Sequence, residues 1–259
     1  MQKLVSSIFL IINAKTFVIT FLAIASTLMC RLMDFTADFP LTLVISAVVF
    51  PIVFSINAAY TRRETALSNY GSLKAHGHAI YLSILHSSQD SDLEVQKKAQ
   101  ELLGELIRKI QELFISEAAD LRQKEMLVYN QFSLLSFLIK DDMRGISTFQ
   151  ADVSQCDSHL TEMMEAFETM KHIFQYRTPQ TLRTFSRIFI TTLPVLYAPY
   201  FAFLAADYSI GLALMMPVLF TVTLVSLDNI QLHLENPFDQ IGEDDIHIDP
   251  DAYVRRLSA

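Results

Sequence analysis

Tryptophan is absent from this 259-residue chain, glycine occurs only six times and cysteine twice. No glycine-rich loop of the phosphate-cradling kind is present, nor a nucleophile motif or a metal-protease helix, so the usual sequence marks of an enzyme are missing. Cys30 lies in an apolar run and Cys156 in a soluble helical pattern. Two such cysteines make neither a disulfide framework nor a metal site and read as structural thiols. Basic blocks are lacking too. With a net charge of −8 and no recognition motif, nucleic acid is excluded as a partner. Charge of either sign is scarce: 19% of residues are charged against 51% hydrophobic, and the apolar ones gather into long uncharged runs that a soluble core does not need.

Four of those runs read as membrane spans. Leu4 to Cys30 is apolar apart from Lys15, which divides it into an interfacial helix and a span from Thr16 to Cys30, with Lys15 at the headgroups. The run is too long, and lacks the small-residue cleavage site, for a signal peptide. Phe39 to Thr61 holds 23 uncharged residues. At about 1.5 Å per residue it crosses a hydrocarbon core of about 30 Å. Two further runs follow Arg187 and are separated by Asp207, with Pro194, Pro199 and Pro217 inside them as kinks or functional breaks. Between Arg62 and Arg187 lie 15 of the 20 basic residues, which places that region and both termini on the cytoplasmic side. Absence of a transit or cleavable signal segment points to a bacterial inner membrane.

The fold class expected is therefore all-α: an integral membrane protein with four transmembrane helices and a cytoplasmic helical region. Its parts are residues 1–61, 62–183, 184–230 and an acidic, extended tail at 231–259. In the middle region Ala99, Leu102, Leu103, Leu106, Ile110, Leu113 and Leu121 keep a helical three-four spacing. Ile146, Phe149, Val153, Cys156, Leu160, Met163, Phe167, Met170 and Phe174 form a seam that requires a partner helix, from the same chain or a neighbouring subunit. Leu127 to Ile139 is apolar but short for a span and reads as buried helix.

The second span carries the candidate site. Ser46, Phe50 and Phe54 recur every fourth residue and form one row on a helix. Rings of such side chains from several subunits make a dewetting constriction, and the plainer alternative is packing against neighbouring helices or lipid. A polar shoulder follows, with Asn57, Tyr60, Arg62, Arg63 and Glu64 within eight positions. His76, His78 and His86 carry no partner ligands at useful spacing and read as surface histidines.

Two segments together resemble the bestrophin family of pentameric anion channels. Phe54, Asn57, Tyr60, Arg62 and Gly71 are similar to the family's F-x-N-x-x-x-Y-x-R-W-W-E and following glycine. Glu235-Asn236-Pro237-Phe238 resembles its E-N-P-F, which leads into an acidic cluster, here Glu243-Asp244-Asp245. The two tryptophans are absent, Glu64 sits one residue early, and residues 239 to 241 are extra. The resemblance covers nearly the whole topology. It implies a homo-oligomer, a pentamer, that passes chloride or other small anions through a pore lined by the second span, with Ser46, Phe50 and Phe54 as its neck. Asn57, Tyr60, Arg62 and Glu64 would form the collar beneath, Arg62 and Glu64 pairing between subunits. It also implies calcium on Glu243, Asp244 and Asp245, where the plainer reading is a solvated acidic tail. The alternative function is a membrane-anchored interaction scaffold built on the middle helices, without conduction.

Overall fold

A computed structural model describes residues 12–38, 41–87, 93–117, 119–142, 150–176, 180–207, 210–240 and 244–258. Among these residues every regular element is helical. In chain order they are α1 (Ala14–Leu32), α2 (Leu41–Ser87), α3 (Leu93–Phe114), α4 (Leu121–Phe137) with a π-helical turn at Leu138–Asp142, α5 (Gln150–Gln175), α6 (Gln180–Leu196), α7 (Ala198–Asp207), α8 (Ile210–Glu235) and α9 (Pro250–Leu257). The chain divides into two compact units. One joins residues 1–61 to 177–236 and the other joins 62–176 to 237–259. The division expected from sequence kept the tail separate, whereas the structure folds its last part into the second unit.

Among the described residues of the first unit, three stretches are long and apolar enough to cross a membrane: Ala14–Leu32, Arg183–Ala205 and Leu214–Glu235. The second expected span falls in α2, an unbroken helix of 47 residues. The interfacial helix expected before Lys15 lies outside the described residues, apart from its last positions. Helix α1 begins at Ala14 because Asn13 and Thr16 cap it reciprocally: the Asn13 side chain accepts from the Thr16 amide, and the Thr16 hydroxyl from the Asn13 amide, both at 3.3 Å. Lys15 therefore sits in the first turn of the helix. It is no lone headgroup charge, since its Nζ bonds Asp228 Oδ2 of α8 at 2.5 Å.

The first unit's core is formed by Ile19, Val48, Ile52, Ile190, Leu193, Tyr197, Phe201, Leu224 and Val225. Large apolar side chains also point outward, among them Phe17, Phe21, Leu22 and Met29 of α1. That pattern suits a solvent of hydrocarbon, which does not penalise exposed apolar surface. Helices α6 and α7 form one stretch interrupted at Tyr197, and Pro194 and Pro199 flank the break. Each proline lacks the amide that the carbonyl four residues earlier would accept from. Between Tyr197 and its neighbours the ladder still closes, at 2.9 Å to Leu193 O and 3.0 Å from Phe201 N.

The second unit has the opposite character. Ala99, Leu103, Leu106, Ile110 and Leu113 of α3 are fully buried, as the periodicity requires, Leu102 is half-buried, and Ile107, outside that spacing, is buried as well. Leu121, expected in that same helix, starts α4 instead. The seam from Val153 to Phe174 finds its partners inside this chain, packing into one core with Ala66, Leu73 and Ile80 of α2 and with α3 and α4. Ile146 and Phe149 of the seam lie outside the described residues. Leu127–Ile139 is buried helix in part, through Val128, Phe132, Leu135, Leu138 and Ile139. The wide π turn lets the consecutive Leu138 and Ile139 both face inward. Phe238 stacks on Phe114 at 4.3 Å, and α9 seats Val254 on Gly104, where an added Cβ would meet its Cγ2 at 2.5 Å. Gly77 is crowded in the same way by the Tyr253 hydroxyl. The tail expected to be extended is thus packed, because Phe238, Ile246, Ile248, Tyr253 and Leu257 give it an apolar face that the helices bury.

Candidate pore helix

Helix α2 shows two unlike faces over its first five turns. Val48, Ile52, Ser55 and Ala59, spaced by four and three, are buried at 2% exposure or less. The row Ser46, Phe50, Phe54 faces away from that core: all three are exposed, Phe50 at 63% and Phe54 at 68%. Their rings lie 6.4 Å apart, tilted by 26°. Asn57 and Thr61 continue the row and are exposed as well. Ser46 donates to the Thr42 carbonyl at 2.8 Å and Thr61 to the Asn57 carbonyl at 2.9 Å, so both hydroxyls are satisfied within the helix. Pro51 lies between the two rings and does not interrupt the helix. Proline here frees the carbonyl four residues earlier, a feature the sequence reading passed over.

The collar residues separate by role. Asn57 and Tyr60 are exposed. Arg62, for which the resemblance implies a pair with Glu64 of a neighbouring subunit, donates within its own chain through its guanidinium to the carbonyls of Ile173, at 2.7 Å, and of Tyr176. Those are the last carbonyls of α5, which lack intrahelical donors and carry the negative end of the helix dipole, so a cation caps them. Glu64 is held by its neighbour Arg63. Arg63 Nε also donates to the Asp244 carbonyl at 2.9 Å.

Of the acidic cluster, Glu243 lies outside the described residues, Asp244 is exposed and Asp245 is buried. The guanidinium of Arg63 already occupies the Asp244 carbonyl and brings positive charge to the place where calcium needs oxygen donors. The structure therefore describes two of the three acids, and only the Asp244 side chain is exposed. Among the described residues no three His, Cys, Asp or Glu side chains gather into a metal cluster. His86 is exposed with Nδ1 on the Leu82 carbonyl, whereas His76 is half-buried and bonded to His159 and Glu162. Cys30 and Cys156 are free thiols, and burial pushes the Cys156 thiol up.

Sequence reasoning also missed two ion pairs on α8. Asp228 takes Lys15, and Glu235 takes Arg183 at 3.0 Å; the side chain of each acid is 3% exposed. Asn13 Nδ2 adds a hydrogen bond to Asn229 Oδ1 at 3.2 Å. The available signal was the spacing: two acids seven residues apart share a face, and an acid inside an apolar helix needs a named partner.

Comparison with known structures yields the same fold throughout. A bacterial bestrophin homologue from Klebsiella pneumoniae, carrying one substitution, superposes with a TM-score of 0.78 at 15% identity, covering 95% of this chain and 98% of its own. A second variant of that homologue gives 0.76 at 14% identity over 94% and 96%. A crystal structure described only as a membrane protein gives 0.75 at 14% identity over 95% and 96%. No protein-family model and no curated protein matches the chain. This chain has the all-α fold of the bacterial bestrophin homologues.

Proposed function

We propose that this protein is an oligomeric, bestrophin-like membrane ion channel, in which α2 of each subunit lines the pore and Phe50 and Phe54 form its hydrophobic neck. One observation carries the reading. The outward row of α2 runs Ser46, Phe50, Phe54, Asn57, Thr61, with polar residues at both ends. The outward face of α1, through Phe17, Val18, Phe21, Leu22 and Met29, is apolar throughout. A face turned to lipid gains nothing from an exposed Asn57 amide, which hydrocarbon leaves unsatisfied. A water-filled path that narrows at two phenylalanines suits the row at every position.

One chain's helices cannot enclose an axis against which this row stands, so the pore requires several copies, five on the bestrophin resemblance. Chloride or another small anion is the permeant ion we infer. Ser46 at the outer neck position is small, which shortens the constriction to two rings. The scaffold alternative rested on an unpartnered seam in α5. That motive is gone, since Cys156, Met163, Phe167 and Met170 are buried by helices of the same chain.

Chloride and sodium flux into liposomes holding the purified oligomer tests the proposal, with Phe50→Ala/Phe54→Ala run in parallel. Flux that rises in the double variant supports the neck, and the reversal potential identifies the ion. Silence from both proteins, in preparations shown to be folded oligomers, would return the scaffold to first place.

A further inference from the structure

His76 of α2 and His159 of α5 meet with their Nδ1 atoms 3.1 Å apart, ring centroids at 5.3 Å and planes tilted by 38°. The other nitrogen of His76, Nε2, lies 2.9 Å from Glu162 Oε2. Proton positions follow from these contacts. A carboxylate only accepts, so His76 carries its proton on Nε2 and turns a lone pair on Nδ1 toward His159. The bond across the pair then needs a proton on His159 Nδ1. With both rings neutral, every contact is satisfied.

We propose that this pair is a proton-counting latch between α2 and α5. A first extra proton enters at His159 Nε2 and leaves both bonds in place, with Glu162 countering the charge through His76. The second has only His76 Nδ1 left. Two N–H groups and two positive rings would then oppose one another at 3.1 Å, and this contact between the helices is lost. The latch is therefore closed at high pH, tolerates one proton and opens with the second.

The surroundings add to this asymmetry. A groove beside the pair, of about 540 Å³, is lined by Asn69, Ser72, Thr161, Glu162, Glu165 and Thr169. Glu162 and Glu165 are its titratable groups besides His76. On α2 the next residue, Gly77, is covered by Tyr253 of α9, whose hydroxyl burial holds neutral far above the usual range. Lys74, over the Tyr70 ring, shares its surroundings with Arg256 of α9, a second positive charge that lowers the affinity of Lys74 for its proton further after burial. Water reaches the latch through the groove, since His76 is 25% and Glu162 51% exposed. The latch itself stands on this geometry alone; its consequence for conduction rests on the pore reading above, because α2 carries Phe50 and Phe54.

Spin labels at Ser72→Cys of α2 and Thr169→Cys of α5, which both line the groove, report its opening in the full-length protein with Cys30→Ser and Cys156→Ala. The distance should lengthen on acidification from about pH 8 to 5, and His159→Gln should hold it constant, because one remaining ring can never present a second cation. His76→Gln serves as the matching control. A label distance that stays flat in the parent protein, or that lengthens equally in His159→Gln, overturns the latch. Chloride flux from the same vesicles separates the two readings. Opening without any flux supports the latch and counts against the pore, whereas flux that changes over the same pH range only when both histidines are present supports both.

Discussion

The two units of this molecule solve the same packing problem in opposite solvents. In the unit of residues 62–176 and 237–259, the largest apolar side chains are inside: Phe114, Phe132, Phe167 and Phe238 are each 2% exposed or less. Charged residues on its surface pair loosely, as Arg108 does with Glu105 and Asp251. In the unit of residues 1–61 and 177–236, Phe17, Phe21, Phe50 and Phe54 are more than half exposed, while Asp228 and Glu235 are inside with their cations. The difference shows which force specifies each. Water drives the aromatic core of one unit together, whereas in an apolar surround that drive is missing and polar contacts select the arrangement.

Removing an aromatic is the strongest way to test that contrast. Phe167→Ala should cost about 3–5 kcal/mol, as large-to-small changes at buried phenylalanines do. Phe21→Ala, at 70% exposure, should cost under about 0.5 kcal/mol. Chemical unfolding of the purified protein, read separately for each variant, checks both; equal losses would break the comparison. The converse experiment is Asp228→Ala, which removes the carboxylate from Lys15 and should cost about 2 kcal/mol in the first unit. Asp228→Asn should recover part of that, since the amide oxygen still accepts from the ammonium.

The smallest effect sharpens the comparison by pH. On the second unit's surface, Lys171 bonds Glu125 at 3.0 Å and Glu168 at 2.7 Å, beside the Tyr129 hydroxyl. Partial burial raises the Glu168 carboxyl, but hydrogen bonds from Lys171 and Tyr129 outweigh it and hold the group below its ordinary value of 4.5. A depressed carboxyl stabilises the fold above its unfolded value and loses that contribution as pH falls through the folded one. Thermal midpoints of the parent and of Glu168→Gln should therefore differ at pH 6 and converge below about pH 4. A gap that persists in acid would assign the role of Glu168 to packing.

Periodicity carried much of this fold in plain sight. The three-four spacing of α3 and α5 marked their buried faces because a helix turns its side chains by the same angle whatever surrounds it. The uncharged runs marked the long apolar helices for the same local reason, and the row at Ser46, Phe50 and Phe54 was legible as a row. What that row faces was not, and the polar ends that distinguish it from the lipid face of α1 mattered only once the buried side of α2 was known.

By itself, then, the sequence determined which stretches are helical, which face of each is apolar and how the polar and apolar stretches alternate. All of these are set within a few turns of chain. Only the tertiary structure decided the pairings: Lys15 with Asp228 across 213 positions, Arg63 with the Asp244 carbonyl across 181 and His76 with His159 across 83. Such contacts have no local signature, because a charge or a ring nitrogen can be satisfied by any suitable group that the fold brings within about 3 Å. The tail is the clearest case. Its acids suggested a solvated, extended tail, and it was the apolar Phe238, Ile246, Ile248, Tyr253 and Leu257, finding a core already built by distant helices, that folded it into place.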